Sequence, residues 1–464
     1  MISMSELPMH RRKYSLVPVA VPPVETAYRR IVTSLPVPES IPIFEKLERF
    51  EPSSMQGQPP VVVDHAQGIC VYDRWGNKWL DWSSGVLISN AGNANPTVVA
   101  ALRRMLDLPL LSTYVFAHES RADLAELLAG LCPIPDGKVF LLSTGSEAVE
   151  NTIKLARTYG LERHGPARRK VVSFQNAFHG RTMGSQLAGG MPGQKKWLGG
   201  SHPDFIQVPF PDGYKNPDVR FELFLESLAR QGAVPEEICA VLTETFQGVG
   251  PDFLPVEYAR ALEKWCRDHD VLLIMDEVQA GFGRTGTWFA FENYGIVPDL
   301  VACGKGISGS LPLSAVIGRP DVMELYPPGS MTSTHSGSPL PVASAVANIH
   351  ALKKGGFLDN ARALDPVLRE GLLEVQKLHP GRAGCVHSKG LVAGIQIVKE
   401  GTRSPDPEAA LAVNLRCFQK GLLMFAPVGV AGECIKVAPS LDIPRGALED
   451  GLSALAEAMH DTLR

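Results

Sequence analysis

The sequence predicts an α/β protein built around a largely parallel sheet that is buried on both faces. From about residue 138 onward, short apolar runs recur without the polar alternation of a half-exposed strand. Helical patterns separate several of these runs, as successive βαβ units require. The predicted strands are Val139–Leu142, Val171–Phe174, Phe205–Val208, Ala240–Thr243, Val271–Met275, Leu300–Cys303 and Ser314–Ile317, and the predicted helices include Glu147–Arg157, Arg220–Arg230 and Glu257–Asp268.

The two ends of the chain predict a second, smaller domain. Residues 1–40 are rich in proline and are interpreted as an N-terminal arm. Short strands are expected within Gly68–Gly85, and the chain after about residue 345 carries further helices with two mixed segments. We therefore predict a large domain of residues 100–345 and a small α+β domain formed by residues 41–99 and 346–464.

Composition excludes several classes of protein. Of the 464 residues 45% are hydrophobic, and 45 Lys and Arg stand against 49 Asp and Glu, which gives a net charge of −4. Without a clustered basic excess we expect no nucleic-acid partner, and without about 18 consecutive apolar residues we expect no membrane-spanning helix. The eight cysteines form no C-x-x-C pair, which favours reduced thiols in a cytoplasmic protein and predicts no metal site.

A helix start after the first strand of the large domain is a candidate anion site. Ser143–Glu147 follows a predicted strand, and Thr144 and Glu147 have the spacing of a capping box. A Gly-Ser turn at a helix N-terminus presents backbone N–H groups to an anion. The same pattern is also typical of an ordinary capped helix, so it identifies no ligand by itself.

Charged residues follow two later strands, at the sheet edge where α/β proteins bind ligands. Asp276 and Glu277 come directly after Val271–Met275, and a buried carboxylate there needs a metal, an arginine or a protonated heterocycle. Solvation in the next loop is the alternative. Lys305 lies between two glycines after Leu300–Cys303, where desolvation can lower its pKa and make it a carbonyl nucleophile, although a lone lysine is usually a surface residue.

The segment Gly281–Gly286 matches G-x-G-x-x-G literally, which raises a dinucleotide-dependent oxidoreductase as an alternative. That fingerprint requires its glycines directly between a strand and a helix. Here five residues intervene after the strand, and no obvious helix follows. We therefore disfavour this alternative, and also that of a binding protein without catalysis, since both Asp276 and Lys305 are present.

Five motifs taken together resemble the class III, or ω-, aminotransferases, a branch of the fold type I pyridoxal-phosphate enzymes. The resemblance spans about residues 40–460, and Asp276 and Lys305 lie 29 residues apart, as in that family. It implies a mainly parallel seven-stranded sheet in the large domain. The motifs are STGSEAVENTIKLAR at 143–157, NAFHGRT at 176–182, DEVQAGFGRTGTWFAFENYGIVPDLVACGKG at 276–306, LPLSAVIGR at 311–319 and STHSGSP at 333–339.

The resemblance implies two catalytic residues. Lys305 would form a Schiff base with pyridoxal 5'-phosphate and later move a proton between Cα and C4′. Asp276 would keep the pyridinium nitrogen protonated so that the ring acts as an electron sink. The implied reaction exchanges the amino group of a primary amine or ω-amino acid, such as 4-aminobutyrate, with a keto acid. An amino-acid racemase or epimerase, or an aminomutase of the same fold, is the alternative.

The resemblance also implies how the cofactor is held. Gly145 and Ser146 would bind its phosphate, Phe178 would cover one ring face, and Gln279 would lie beside the 3-oxygen. Thr334 would reach the phosphate of the neighbouring subunit's cofactor, which implies a homodimer with a shared active site.

Departures from the family pattern concern the substrate. Where many members read E-P-V-Q-G-E-G-G, the segment Glu244–Gly250 keeps the first glutamate and loses the second. Lys436 stands in place of the family arginine that binds a substrate carboxylate, and Asn93 stands where a histidine is common. Glu244 and Lys436 are therefore the candidate substrate residues, with Arg181 as the alternative carboxylate ligand.

From this replacement we expect 2-oxoglutarate to be a poorer acceptor than is common in the family. An ammonium makes one charge-assisted contact where a guanidinium fork makes two. Losing one such bond costs about 1.5–3 kcal/mol, which is a roughly ten- to hundredfold drop in affinity. Half-reactions with 2-oxoglutarate and pyruvate should be compared between the unaltered enzyme and Lys436→Arg. Tight binding of 2-oxoglutarate in both would exclude Lys436 as its ligand.

Overall fold

The computed structural model describes residues 14–463, which divide into two compact units. One unit contains the chain up to Asn95 and again from Asp359, and the other contains Pro96–Leu358. The domain boundaries predicted from the sequence stay a prediction; the one at 345 falls inside a helix. Of the predicted arm, residues 1–13 lie outside the described residues.

The first unit begins with a small antiparallel sheet. Its strands are ordered β1-β2-β5-β4-β3. The elements of this part are β1 (Val24–Glu25), β2 (Arg30–Ile31), α1 (Ile41–Phe50), β3 (His65–Gln67), β4 (Cys70–Tyr72), β5 (Lys78–Asp81) and α2 (Ser84–Leu87).

The second unit contains the seven-stranded sheet that the sequence predicts. The strand order is β6-β12-β11-β10-β9-β7-β8. Strand β12 runs antiparallel to both of its neighbours, β11 and β6. Its elements are α3 (Pro96–Leu106), α4 (Glu119–Leu131), β6 (Lys138–Leu142), α5 (Gly145–His164), β7 (Lys170–Phe174), α6 (Met183–Ala188), β8 (Phe205–Val208), α7 (Glu222–Arg230), β9 (Ile238–Glu244), α8 (Val256–Asp268), β10 (Leu272–Asp276), β11 (Leu300–Cys303), β12 (Ser314–Gly318), α9 (Pro320–Met323) and α10 (Pro339–Lys354).

All seven predicted strands are confirmed within one or two residues at each end. The three named helices are confirmed as well, but α5 continues seven residues beyond the predicted Arg157. Its last two turns carry mostly polar side chains, and they remain helical because Tyr159 and Gly160 are buried against the unit's core. Tertiary packing therefore extends this helix past its apolar stripe.

The rest of the first unit follows α10 along the chain. Three strands form an antiparallel sheet in the order β13-β14-β16, and β15 adds a parallel strand to β5. The Arg29 guanidinium contacts the Asp450 carboxylate through two bonds of 2.6 and 3.0 Å, which joins the early and late segments. These elements are α11 (Phe357–Leu378), β13 (Ala383–Lys389), β14 (Val392–Ile397), α12 (Pro407–Gln419), β15 (Leu422–Leu423), β16 (Cys434–Val437) and α13 (Arg445–Thr462).

Helix α5 packs closely on the sheet because Gly160 has no side chain. A methyl group there would collide with the carbonyl oxygen of Arg168 and lie 2.8 Å from Cys239 Cβ. Neither a backbone carbonyl nor a buried strand residue can move aside cheaply.

No described helix is both long enough and apolar enough to cross a membrane.

Gly160→Ala should therefore destabilise the protein although alanine is the better helix former. Overpacking typically costs about 1–3 kcal/mol, which exceeds the propensity gain of about 1 kcal/mol. Gly130→Ala in α4 is the matched control, because the added methyl group would meet no atom within 4 Å beyond its own helix backbone and chain neighbours, and it should be neutral or stabilising. Urea unfolding of the two variants measures the difference. Equal midpoints would contradict the tight packing at Gly160.

Candidate active site

The start of α5 is a capped helix N-terminus next to the acidic segment. Thr144 Oγ1 accepts from the Glu147 N–H at 3.3 Å, and Glu147 Oε2 accepts from the Thr144 N–H at 2.8 Å, so the predicted capping box is confirmed. A side chain at Gly145 would come within 2.7 Å of Val278. The first N–H groups of a helix lack intrahelical partners and lie at its positive end, which suits a phosphate.

The loop that follows β7 lies against the same helix start. Ser146 Oγ accepts a hydrogen bond from the Arg181 N–H at 3.3 Å. Gly180, at φ +132°, leaves no room for a side chain because Ser146 and Ser185 hydroxyls fill that space. The motif at 176–182 and the motif at 143–157 thus meet, as their shared resemblance implies.

Asp276 ends β10 and is held by a buried histidine. Its Oδ2 lies 2.8 Å from His179 Nδ1, and its Oδ1 accepts from the Val278 N–H at 3.1 Å. The His179 side chain is fully buried, and its Nε2 has no hydrogen-bond partner among the described residues. Each carboxylate oxygen can accept a further bond, so Asp276 retains capacity for at least one more donor.

Glu244 ends β9, directly opposite Asp276 in the strand register. Its two oxygens accept backbone N–H groups, from Phe178 at 3.0 Å and from Gly248 at 2.7 Å. Burial raises the pKa of Glu244 to about 7; the His179 charge and the two backbone bonds oppose this rise, while the Asp276 charge adds to it. The two backbone hydrogen bonds hold the Glu244 carboxyl group in place.

Lys305 follows β11 and lies close enough to these two acids for their charges to act on it. Its backbone is left-handed, with φ +42°, and the side chain is largely covered. Burial lowers the pKa of its ammonium, and the negative charges of Asp276 and Glu244 oppose that shift. A larger share of neutral amine results than for a surface lysine, and the neutral amine is the form that attacks carbonyl groups.

Glu277 points into the protein and serves its structure. It accepts a hydrogen bond from the Thr245 hydroxyl, and further bonds from the N–H groups of Ala290 at 2.7 Å and Phe291 at 3.2 Å. Burial raises its pKa to about 8. Both acids are buried, so the alternative that they are solvated in the next loop is wrong.

Gln279 and Phe178 lie at the same end of the sheet. A side chain at Gly248 would collide with the Gln279 amide and lie 2.9 Å from Glu244 Oε1, which brings Gln279 beside Glu244. Phe178 is half-buried, and the Arg181 guanidinium carbon lies 5.5 Å from its ring centroid. Arg181 therefore forms a cation–π contact with the Phe178 ring.

The remaining candidates are described within their own units. Thr334 is exposed in a turn before α10. Lys436 is buried on β16, opposite Gly394 of β14, in the unit formed by the chain ends. The residues that converge at one end of the seven-stranded sheet are Gly145, Ser146, Phe178, Glu244, Asp276, Gln279 and Lys305.

His179 is the site residue to which the sequence analysis assigned no role. It lies inside the quoted motif, but nothing in that motif indicates the acid it contacts, 97 residues later. The G-x-G-x-x-G match lies in consecutive turns and is followed by a 3-10 turn, Ala290–Tyr294, so it lacks the helix that a dinucleotide site requires. Among the described residues, no three histidine, cysteine, aspartate or glutamate side chains group as metal ligands.

Comparison with known proteins agrees with this geometry. The family model for aminotransferase class-III matches residues 53–459. A 4-aminobutyrate aminotransferase of Mycobacterium leprae (strain TN) is 32% identical over 447 residues, which cover 93% of this chain and 98% of the relative. An alanine/serine racemase of Pyrococcus horikoshii is 30% identical over 467 residues, covering 97% of this chain and 96% of the relative.

Among solved structures, an amine transaminase from an uncultivated Pseudomonas species in its PLP-bound form superposes with a TM-score of 0.79. It is 28% identical, and the match covers 87% of this chain and 95% of that one. The family match spans both units and all the motifs quoted above. This chain therefore belongs to the class III aminotransferases and is a pyridoxal-phosphate-dependent transaminase of fold type I.

Proposed function

We propose that this enzyme moves the amino group of an ω-amino acid or another primary amine, such as 4-aminobutyrate, to a keto acid. The observation that carries the proposal is the largely covered Lys305 close to Asp276 and Glu244, because this arrangement suits a ligand that has both an aldehyde and a protonated ring nitrogen. The 4-aminobutyrate aminotransferase among its relatives supports the substrate class. Eight free cysteines support a reducing, cytoplasmic location.

The described residues fit pyridoxal phosphate in three respects. The start of α5 is a helix N-terminus kept clear of a side chain at Gly145, which suits the phosphate. Asp276 retains capacity for a donor such as a protonated ring nitrogen, and Lys305 is a desolvated amine. When bound, the cofactor supplies an aldehyde and an electron-accepting ring.

Each residue then has a proposed task. Gly145 and Ser146 bind the phosphate, and Phe178 covers one face of the ring. Asp276 would hold a proton on the ring nitrogen, and His179 would fix the Asp276 carboxylate. Lys305 would attach the cofactor through its Nζ and move the proton at the substrate Cα.

At the substrate end, Gln279 would lie beside the ring's 3-oxygen when the cofactor is bound. Glu244 lies beside Gln279 and stays a candidate substrate residue, as does Lys436. Both assignments are proposals that rest on the sequence resemblance.

We further propose a homodimer in which Thr334 reaches the neighbouring subunit's phosphate. Apolar side chains are exposed from the end of α3 to the start of α4: Leu106, Leu108, Leu111, Tyr114, Val115 and Phe116, the last at 76%. Contiguous exposed apolar surface is typical of a protein interface. The exposed Thr334 belongs to the same unit.

Racemisation is the second candidate, favoured by the 30% identity to an alanine/serine racemase. Incubation with pyridoxal phosphate, a panel of amines and several keto acids should yield new amino acids, resolved by chiral chromatography. Lys305→Ala should reduce turnover roughly a hundred- to ten-thousandfold, because it removes the proton-transfer group, whereas the exposed Lys399→Ala should not. Inversion of alanine or serine without transfer to any keto acid would contradict the proposal.

Thr334→Ala should weaken cofactor affinity roughly ten- to hundredfold, because a hydrogen bond to a charged group contributes about 1.5–3 kcal/mol. Equilibrium dialysis with pyridoxal phosphate measures the affinity. Thr402→Ala, another exposed threonine, is the control and should leave it unchanged. Sedimentation showing a fully active monomer would reject the shared site.

A further inference from the structure

Helix α10 places two buried polar side chains against the turn that carries Lys305. Ser344 and Asn348 are four residues apart, so they lie on one face of the helix, and neither has any exposed surface. Burying a hydroxyl or an amide costs free energy unless it is hydrogen-bonded. The bonds that these two side chains form should therefore indicate why they are there.

The Asn348 amide is directed at two consecutive carbonyls of the turn. Its Nδ2 donates to Gly306 O at 2.8 Å and to Ile307 O at 3.2 Å. Its Oδ1 has no hydrogen-bond partner among the described residues. A side chain at Gly309 would come within 2.5 Å of that oxygen, so only glycine leaves the amide its space. Asn348 thus acts here as a donor alone.

Ser344, one helical turn before Asn348, contacts the next part of the same turn. Its Oγ donates to Ser308 O at 2.9 Å and lies 2.8 Å from Ser310 Oγ. Three successive carbonyls, those of residues 306 to 308, are therefore bonded by side chains of α10. A buried carbonyl without such a partner would cost about 1–3 kcal/mol.

The turn needs this support because of its backbone conformation. Lys305 is left-handed at φ +42°, which is unfavourable for a residue with a side chain. Within the turn, Ile307 N donates to Gly304 O at 3.0 Å. A strained conformation persists only when its surroundings over-determine it. The contacts from α10 supply that constraint.

We propose that Asn348, assisted by Ser344, is a positioning residue that keeps Lys305 in the backbone conformation from which its amine captures the cofactor aldehyde. The proposal rests on the proposed function of Lys305 as the attachment point. It assigns to a polar pair on α10 a role that a purely apolar helix face could not perform.

The test separates covalent capture from binding of the ring and phosphate. The apoprotein is mixed with pyridoxal phosphate, quenched with borohydride at timed intervals, and mapped for the pyridoxyl group on Lys305. Affinity for pyridoxine 5'-phosphate, which has no aldehyde, is measured in parallel. Asn348→Ala should slow capture at Lys305 about tenfold while changing pyridoxine-phosphate affinity less than about twofold, and Ser344→Ala should slow capture about threefold.

Ile349→Ala is the matched control, because Ile349 is also fully buried on α10 but offers no hydrogen-bonding side chain. It should lower the thermal midpoint and leave capture unchanged. Capture at the unaltered rate in both test variants, or a fall matched by weaker pyridoxine-phosphate binding, would overturn the proposal. Absence of label on Lys305 in the unaltered protein would instead overturn the proposed function, and this inference with it.

Discussion

Two buried carboxylates at neighbouring strand ends impose the main constraint on this protein. Asp276 and Glu244 lie side by side where β10 and β9 end, and burial makes each costly unless it is compensated. The compensation comes from backbone N–H groups of Phe178, Gly248 and Val278. Three loops are therefore organised around the acids, and two of them carry Phe178 and Gln279 of the candidate site.

Helix α5 connects this site to the core through two glycines near its ends. At Gly145 the missing side chain lets the helix start approach Val278, and at Gly160 it lets the helix approach Arg168 and Cys239. Between them, apolar residues such as Val149 and Ile153 pack with the residues of the sheet. The helix is thus fixed along its length, so its N-terminus stays beside Val278, two residues after Asp276.

The strands were predictable from the sequence because burial on both faces leaves uninterrupted apolar runs. Phe205–Val208 and Leu300–Cys303 match the observed strands, whereas the end of α5 was missed because its last turns are polar. Motif order predicted the cofactor residues, and that assignment stays a prediction. The role of His179 was not predictable, since a histidine in a loop gives no sign of a partner that only the fold brings near it. The sequence likewise shows Asn348 only as an isolated polar residue in a helix, because its contact with the turn after Lys305 is made by the fold.

The Asp276–His179 hydrogen bond also bears on how the site comes into existence. It joins residues 97 apart in the chain, the Phe178–Glu244 bond spans 66, and even the Asn348–Gly306 bond spans 42. Contacts between residues so far apart in the chain carry a large loop-closure entropy cost, so they form only once the intervening strands are paired. A partly folded chain therefore presents Lys305 without its acids. The cofactor is therefore expected to bind only after the sheet is complete. Binding then stabilises the native chain without guiding its early folding.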